Sequence, residues 1–512
     1  MGIKRLEKEP DHKNVYNSLI NDAVGRNENL CQFACFCSAQ EDRCSIALDG
    51  GWGTGKSFFL RQLQILFDAY SNHPKQLTAD QLNEIRIKLD GYIKKYGMGA
   101  SIHPHTCIYY DAWLNDNAED PIRSILHEII TETDTNKLFD KKSLWQRLYR
   151  PIRSFFKKQA FSPSLLKALE ALCKAVDEIN PLNPPQNVFP FLKAGKAVLP
   201  FLEYFKKNNP VQEIDIQKRF HNAFEDYLDE AITDKNSRLL VLIDELDRCK
   251  PTYAVQLLER IKHYLSNKRI TFVFAINEDQ LQHTVKIFYG TDFNAHRYLD
   301  RFFDFRLSLP QPDVNRFYNS YGLNPTGGDF DARLYADVCI AFARVYDLSL
   351  RESMRYWQWV KLACHSFKEQ EERNNSFNWK FIMYIIVPLV LGLKLLNRQL
   401  FESFINGEDS NPLKKLLCNS PIAHRFINSP EEAMKETSFS NQLLFLDALT
   451  PVDEIYKALF RNNKEQGEID PQLFETAPFK FTKEMVNTIH TASNFMADFI
   501  KFDTNTEETA HG

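Results

Sequence analysis

Residues 50–57, Gly-Gly-Trp-Gly-Thr-Gly-Lys-Ser, limit what this chain can fold into more than any other stretch. Four of the 18 glycines in 512 residues fall at positions 50, 51, 53 and 55. Without a Cβ, glycine reaches positive φ at no steric cost, so the backbone can curl and aim successive N–H groups at one point. The spacing Gly50-x-x-x-x-Gly55-Lys56-Ser57 fits a phosphate-binding loop: amides cradle phosphates, the lysine reaches their outer oxygens, and the hydroxyl binds Mg²⁺. The flanks agree. "CSIALD", Cys44 to Asp49, reads as a short buried strand, and "KSFFLRQLQILFDAY" places Phe59, Leu60, Leu63 and Leu66 at helical spacing. Strand, loop and helix in that order put an anion at a positive helix N-terminus. The residues expected to line the nucleotide are Gly50, Gly51, Trp52, Gly53, Thr54, Gly55, Lys56, Ser57 and Phe58. A turn that binds nothing is the alternative.

A phosphate loop needs an acidic strand to hold its metal. "SRLLVLIDELDRCKP" offers an apolar run from Leu239 to Ile243 that ends in Asp244 and Glu245. Such a run suits a fully buried central parallel strand. Asp244 is expected to bind Mg²⁺ together with Ser57, and Glu245 to polarise an attacking water. A helix, "TYAVQLLERIKHYL", and a strand, "RITFVFAIN", follow, delivering Asn277 to the carboxyl edge of the sheet, where open α/β folds bind ligands. Asn277 either holds the water or simply caps the next helix. Farther on, a strand from Phe302 to Leu307 is expected directly after Arg301, with Arg297 one turn earlier. Arginine stabilises developing phosphate charge; solvated surface is the other reading. Together these elements predict an α/β fold, a parallel sheet sandwiched by helices.

The residues resemble the KAP family of P-loop NTPases, in the ASCE (additional-strand catalytic-glutamate) division near the AAA+ and STAND ATPases. Four stretches carry the resemblance: "NDAVGR" (Asn21 to Arg26), "GGWGTGKS", "YDAWLNDNAEDPIRSIL" (Tyr110 to Leu126), and "IDELDRCKP" running on to "YLDRFFD". It covers about Asn21 to Pro310, fades by about Arg355 and is absent beyond. It implies ATP and Mg²⁺ as ligands, Lys56 and Ser57 on phosphate and metal, Asp244 on Mg²⁺ and Glu245 as the catalytic acid. It further implies Gly25 and Arg26 near the base or ribose, and Arg351, in "LSLRESMRYW", as a second sensor on the γ-phosphate. Family members often carry Asp-Asp where this chain has Asp244-Glu245. Many also carry transmembrane helices between the two motifs, which this chain does not obviously do. The family setting suggests a prokaryotic antiphage system and an effector protein as partner. A scaffold that holds ATP without turnover, a membrane-associated signalling NTPase and a small-molecule kinase are the competing classes.

Lys56 and Asp244 lie 188 residues apart (244 − 56), whereas two β-α units need only about 60. A helical insert is therefore expected at 133–217, between core segments 1–132 and 218–312. Its stretch 147–158, with Arg147, Arg150, Arg153, Lys157 and Lys158 among aromatics, suits nucleic acid, an anionic membrane surface, or a solvated helix face. Beyond lie a helical lid (313–366), a helical domain (367–502) and a tail (503–512). "KEQEERNNS", Lys368 to Ser376, reads as a linker.

The balance of 63 basic against 67 acidic residues, net −4, gives no global bias toward nucleic acid. Ten cysteines without framework or zinc spacing fit reduced thiols in a cytoplasmic protein, peripheral to a membrane at most. The apolar run Phe381–Leu393 has 13 residues and contains Pro388. A membrane span needs about 20, so a core helix is expected here. Assembly into a homo-oligomer is expected from Arg301, which AAA+-like ATPases direct into a neighbour's site.

Overall fold

The structure, a computed structural model, describes residues 10–133, 221–366, 377–428, 450–460 and 489, apart from short breaks within those spans. The expected insert (beyond Thr133), its basic stretch 147–158, the linker 368–376 and the tail 503–512 lie outside the described residues. The chain divides into two units. Of the described residues, one unit holds Pro10–Asn21 and Arg26–Gln311, and the other holds Asp22–Gly25 and those from Pro312 onward.

The first unit is built on five parallel strands: β1 (Cys44–Asp49), β2 (Thr106–Asp111), β3 (Leu239–Asp244), β4 (Ile270–Ile276) and β5 (Phe305–Ser308). Their order is β2-β3-β4-β1-β5. Every residue of β3 and β4 is buried, as their unbroken apolar runs require of central strands covered on both faces. Strand alternation sends Ile46, Leu48, Leu240 and Leu242 to one face. There they pack with α1 (His12–Ile20), α2 (Asn27–Ser38), α3 (Lys56–Tyr70) and α4 (Ala79–Tyr96). Ala47, Leu239, Val241 and Ile243 face the opposite core. That core is shared with α5 (Pro121–Thr133), α6 (Pro251–Tyr264), α7 (Glu278–Tyr289) and α8 (Ala295–Leu299). The α/β sandwich is thus helix, sheet, helix.

The last strand begins later than its sequence suggests. Residues 302–304 form a turn, because the Asp304 carboxylate accepts the Ser45 amide at 2.8 Å and Asp304 N–H donates to the Ser45 carbonyl at 2.8 Å. The ladder then opens at Phe305, paired with Ile46. Phe302 and Phe303, which read as strand residues, are buried plugs in that turn.

The second unit is helical and has its own core. It contains α9 (Val314–Asn319), α10 (Phe330–Val345), α11 (Leu350–Ser366) and α12, a continuous helix assembled from Phe377–Phe381, a π-turn Ile382–Ile386 and Val387–Leu396. Among the described residues four shorter helices follow: Arg398–Ile405, Asn411–Asn419, Pro421–Asn428 and Thr450–Phe460. Pro388 does not break α12, because it enters at the first turn after the π-bulge, where the i→i−4 ladder is already interrupted. Asn378–Leu396 is long and apolar enough to cross a membrane by length and composition, at 19 residues and mean hydropathy 1.9. It is nonetheless 72% buried, packed within its own unit as a core helix.

Candidate nucleotide site

The turn after β1 is shaped by two glycines in the left-handed region, Gly53 (φ 77°) and Gly55 (φ 93°). A side chain there would strain the backbone, so the composition of the loop follows from its path. Gly50 N–H donates to the Ile276 carbonyl at 3.1 Å, the Thr54 hydroxyl to the Gly51 carbonyl at 2.8 Å, and the Arg26 guanidinium to the Thr54 carbonyl at 2.8 Å. The 15-residue α3 starts at Lys56 with neither a capping side chain nor an acid in its first turn. Its positive end is open to an anion. Lys56 lies across the mouth, its ammonium donating to the carbonyls of Gly50 (2.6 Å) and Gly51 (3.1 Å). Burial lowers its pKa, against the charges of Asp247, Asp244, Glu245 and Asp49.

Strand register aligns the acidic partners. Asp111 pairs with Asp244, Asp244 with Ala275, and Asp49 with Ile276, so four strands end level with the loop. Asp244 is 1% exposed. It accepts the Tyr109 hydroxyl at 2.7 Å and the Glu245 amide at 2.9 Å. Burial pushes its carboxyl up despite those bonds. Glu245 has a left-handed backbone (φ 59°), and burial, then the Asp244 charge, push its carboxyl up to about 7. The Arg248 guanidinium, 2.5 Å from Glu245 Oε2, opposes that rise.

The strand order decides the class. β4 stands between the loop strand β1 and the acid strand β3, which is the additional strand of the ASCE arrangement. In agreement, the profile of the KAP family P-loop domain matches residues 27–321. The chain belongs to the KAP family. No curated protein matches it.

As a KAP P-loop domain the first unit is a nucleotide-binding fold, and its site brings together most of the residues read from the sequence. Gly50 to Ser57, Asp244 and Glu245 converge at the carboxyl edge. Phe58 contributes a first-turn amide, while its ring packs on the core beneath α3. Asn277 stands at the end of β4 as the N-cap of α7, its side-chain oxygen accepting Gln280 N–H at 3.2 Å. Capping uses only that oxygen, so its amide N–H₂ makes no protein hydrogen bond among the described residues.

Four further expected residues are placed as follows. Arg26 is buried behind the loop, where it holds Thr54, and burial lowers its pKa to about 10. Gly25 belongs to the helical unit; its φ is +68° and a Cβ would come within 2.9 Å of the Asp313 Cβ, so backbone and packing both demand glycine. Arg351 also belongs to that unit, in the first turn of α11. Arg301 is exposed in the turn before β5, near the amino end of the sheet, its carbonyl held by the Lys262 ammonium at 2.9 Å. The structure does not bring it to the loop of its own chain.

Four neighbours escaped the sequence reading. Tyr109 holds Asp244, and Arg61 stacks over the Tyr109 ring at 3.4 Å. Asp247, buried, accepts the Trp52 indole N–H at 2.8 Å, and Arg248 holds Glu245. Asp247 and Arg248 lie within the "IDELDRCKP" stretch, so the motif marked them without assigning them a partner.

Proposed function

We propose that this chain is a Mg²⁺-dependent ATPase that acts as a nucleotide-driven switch. The observation that carries this reading is Glu245, placed one residue after the metal-competent Asp244 and beside the lysine of a phosphate loop. A scaffold that only holds nucleotide has no use for a carboxylate there. The donor set fits the metal: Ser57 and Asp244 are both hard oxygen ligands, and the carboxylate is 1% exposed with no ion pair among the described residues. Mg²⁺ held by these two would neutralise charge on the β and γ oxygens. Lys56, in trading its two loop carbonyls for phosphate oxygens, gains an anionic partner for its desolvated charge. Glu245 takes the role of orienting and deprotonating the attacking water, and the Asn277 amide is placed to hold that water from the neighbouring strand.

Arg301, remote from its own loop, acts in a neighbouring copy of the chain, so the active form is a homo-oligomer. An effector partner and a prokaryotic antiphage setting rest on the family resemblance and not on any residue described above. The test is phosphate release by the purified chain. The reading expects Mg²⁺-dependent turnover that chelation or Glu245→Gln abolishes. Release no greater than that of Glu245→Gln, at protein concentrations high enough to assemble oligomers, would overturn it.

A further inference from the structure

Glu245 sits in a left-handed backbone conformation, φ 59°, that a non-glycine residue seldom adopts. Four bonds hold it there. Its amide donates to Asp244, its carbonyl accepts from Arg248 N–H (3.2 Å) and the Cys249 thiol (3.5 Å), and its carboxylate Oε2 meets Arg248 Nε at 2.5 Å. The 3-10 turn Leu246–Arg248 that returns Arg248 toward Glu245 is itself pinned. Asp247 in its middle is buried and takes the indole N–H of Trp52, a residue of the phosphate loop. The guanidinium also faces Trp113, with its Cζ 5.8 Å from the ring centroid. Arg248 is therefore fixed by the carboxylate, by an aromatic face and, through its neighbour Asp247, by the loop that receives phosphate.

We propose that Arg248 is a positioning residue for hydrolysis, holding Glu245 by Oε2 so that Oε1 is left to take the attacking water. A glutamate side chain has three rotatable bonds, and an unrestrained carboxylate would spend most of its time out of line with the γ-phosphate. Through Asp247 and Trp52 the turn that carries Arg248 is tied to the phosphate loop. This inference rests on the ATPase reading above.

The test compares Arg248→Gln, Arg248→Lys and Trp113→Leu in the full chain, by steady-state hydrolysis and by Mg-ATP binding. Arg248→Gln should lower kcat about a hundredfold, with KM and the ATP Kd changed by less than about twofold. Arg248→Lys keeps a charge without the planar fork and should recover only part of the loss. Trp113→Leu, which leaves the ion pair in place, should lower kcat several-fold at constant KM. Added guanidinium ion should raise the rate of an Arg248→Ala variant, which a merely structural role would not allow. An unchanged or raised kcat in Arg248→Gln, or a loss confined to KM, would overturn the proposal. A wild-type chain whose phosphate release is indifferent to Glu245→Gln would overturn the ATPase reading and this proposal with it. Loss in Glu245→Gln but not in Arg248→Gln overturns this proposal alone. Should Arg248→Gln fail to fold, Arg248→Lys and Trp113→Leu decide, and wild-type kcat in both would overturn it.

Discussion

Among the described residues Lys56 donates only to carbonyls of its own loop, so truncating it removes the proposed phosphate ligand without opening the core. Lys56→Ala should weaken ATP binding by about 2 kcal/mol or more, some thirtyfold, with little change in melting temperature; titration calorimetry and thermal melts check both. The two strand-end acids should separate. Glu245→Gln keeps size and hydrogen bonding, so it should bind ATP at wild-type affinity and not turn it over. Asp244→Asn should lose the Mg²⁺-dependent part of binding. It should also raise the melting temperature of the nucleotide-free protein at neutral pH. The sign follows from burial: a carboxyl whose pKa is raised on folding binds protons more tightly in the native state, so its ionised form opposes folding. A lower melting temperature for Asp244→Asn would contradict this. At this scale the legible residues were those whose chemistry travels with local spacing, the glycines with Lys56 and Ser57, and the acids closing an apolar run. Trp52 and Asp247 are 195 residues apart, and no periodicity announces that the indole and the carboxylate meet. Nothing in the sequence around Tyr109 marks its hydroxyl as the group that holds Asp244.

Among the elements, β1, α3, β3 and β4 were plain from sequence, because unbroken apolar runs and a helical stripe each admit one arrangement beside a phosphate loop. The start of β5 was not, since Phe302 and Phe303 are as apolar as strand residues and only the Asp304 contacts with Ser45 show where the ladder opens. Helix α12 illustrates the converse. Its composition suits a membrane as well as a core, and packing chooses. Gly392 lets Phe342 of α10 approach so closely that a Cβ would lie 2.3 Å from the ring. Gly392→Ala should therefore destabilise the helical unit by about 1–3 kcal/mol through overpacking. A smaller residue at Phe342 should recover part of that loss, as read from denaturant unfolding. No recovery in the double variant would mean that the two positions do not share this contact.

For the molecule as a whole, the family assignment gives a nucleotide-binding domain, the structure adds a helical unit that holds the described residues from Pro312 onward, and Arg301 lies away from the loop of its own chain. If Arg301 serves a neighbour, Arg301→Ala and Glu245→Gln should each be inactive, and mixing them should restore part of the activity in sites that combine one intact copy of each residue. A trans arginine contributes about 10³–10⁵ in rate where it operates, so the partial return should be large against background. Association of the two variants without recovery would assign Arg301 to its own chain or to the surface. The central claim, that Glu245 spends a nucleotide which the loop and Asp244 hold, is tested most directly by what stays on the protein. After incubation with Mg-ATP and rapid removal of free nucleotide, wild type should carry ADP, Glu245→Gln should carry ATP, and Lys56→Ala should carry neither. ATP on wild type and Glu245→Gln alike, or ADP on both, would contradict the account.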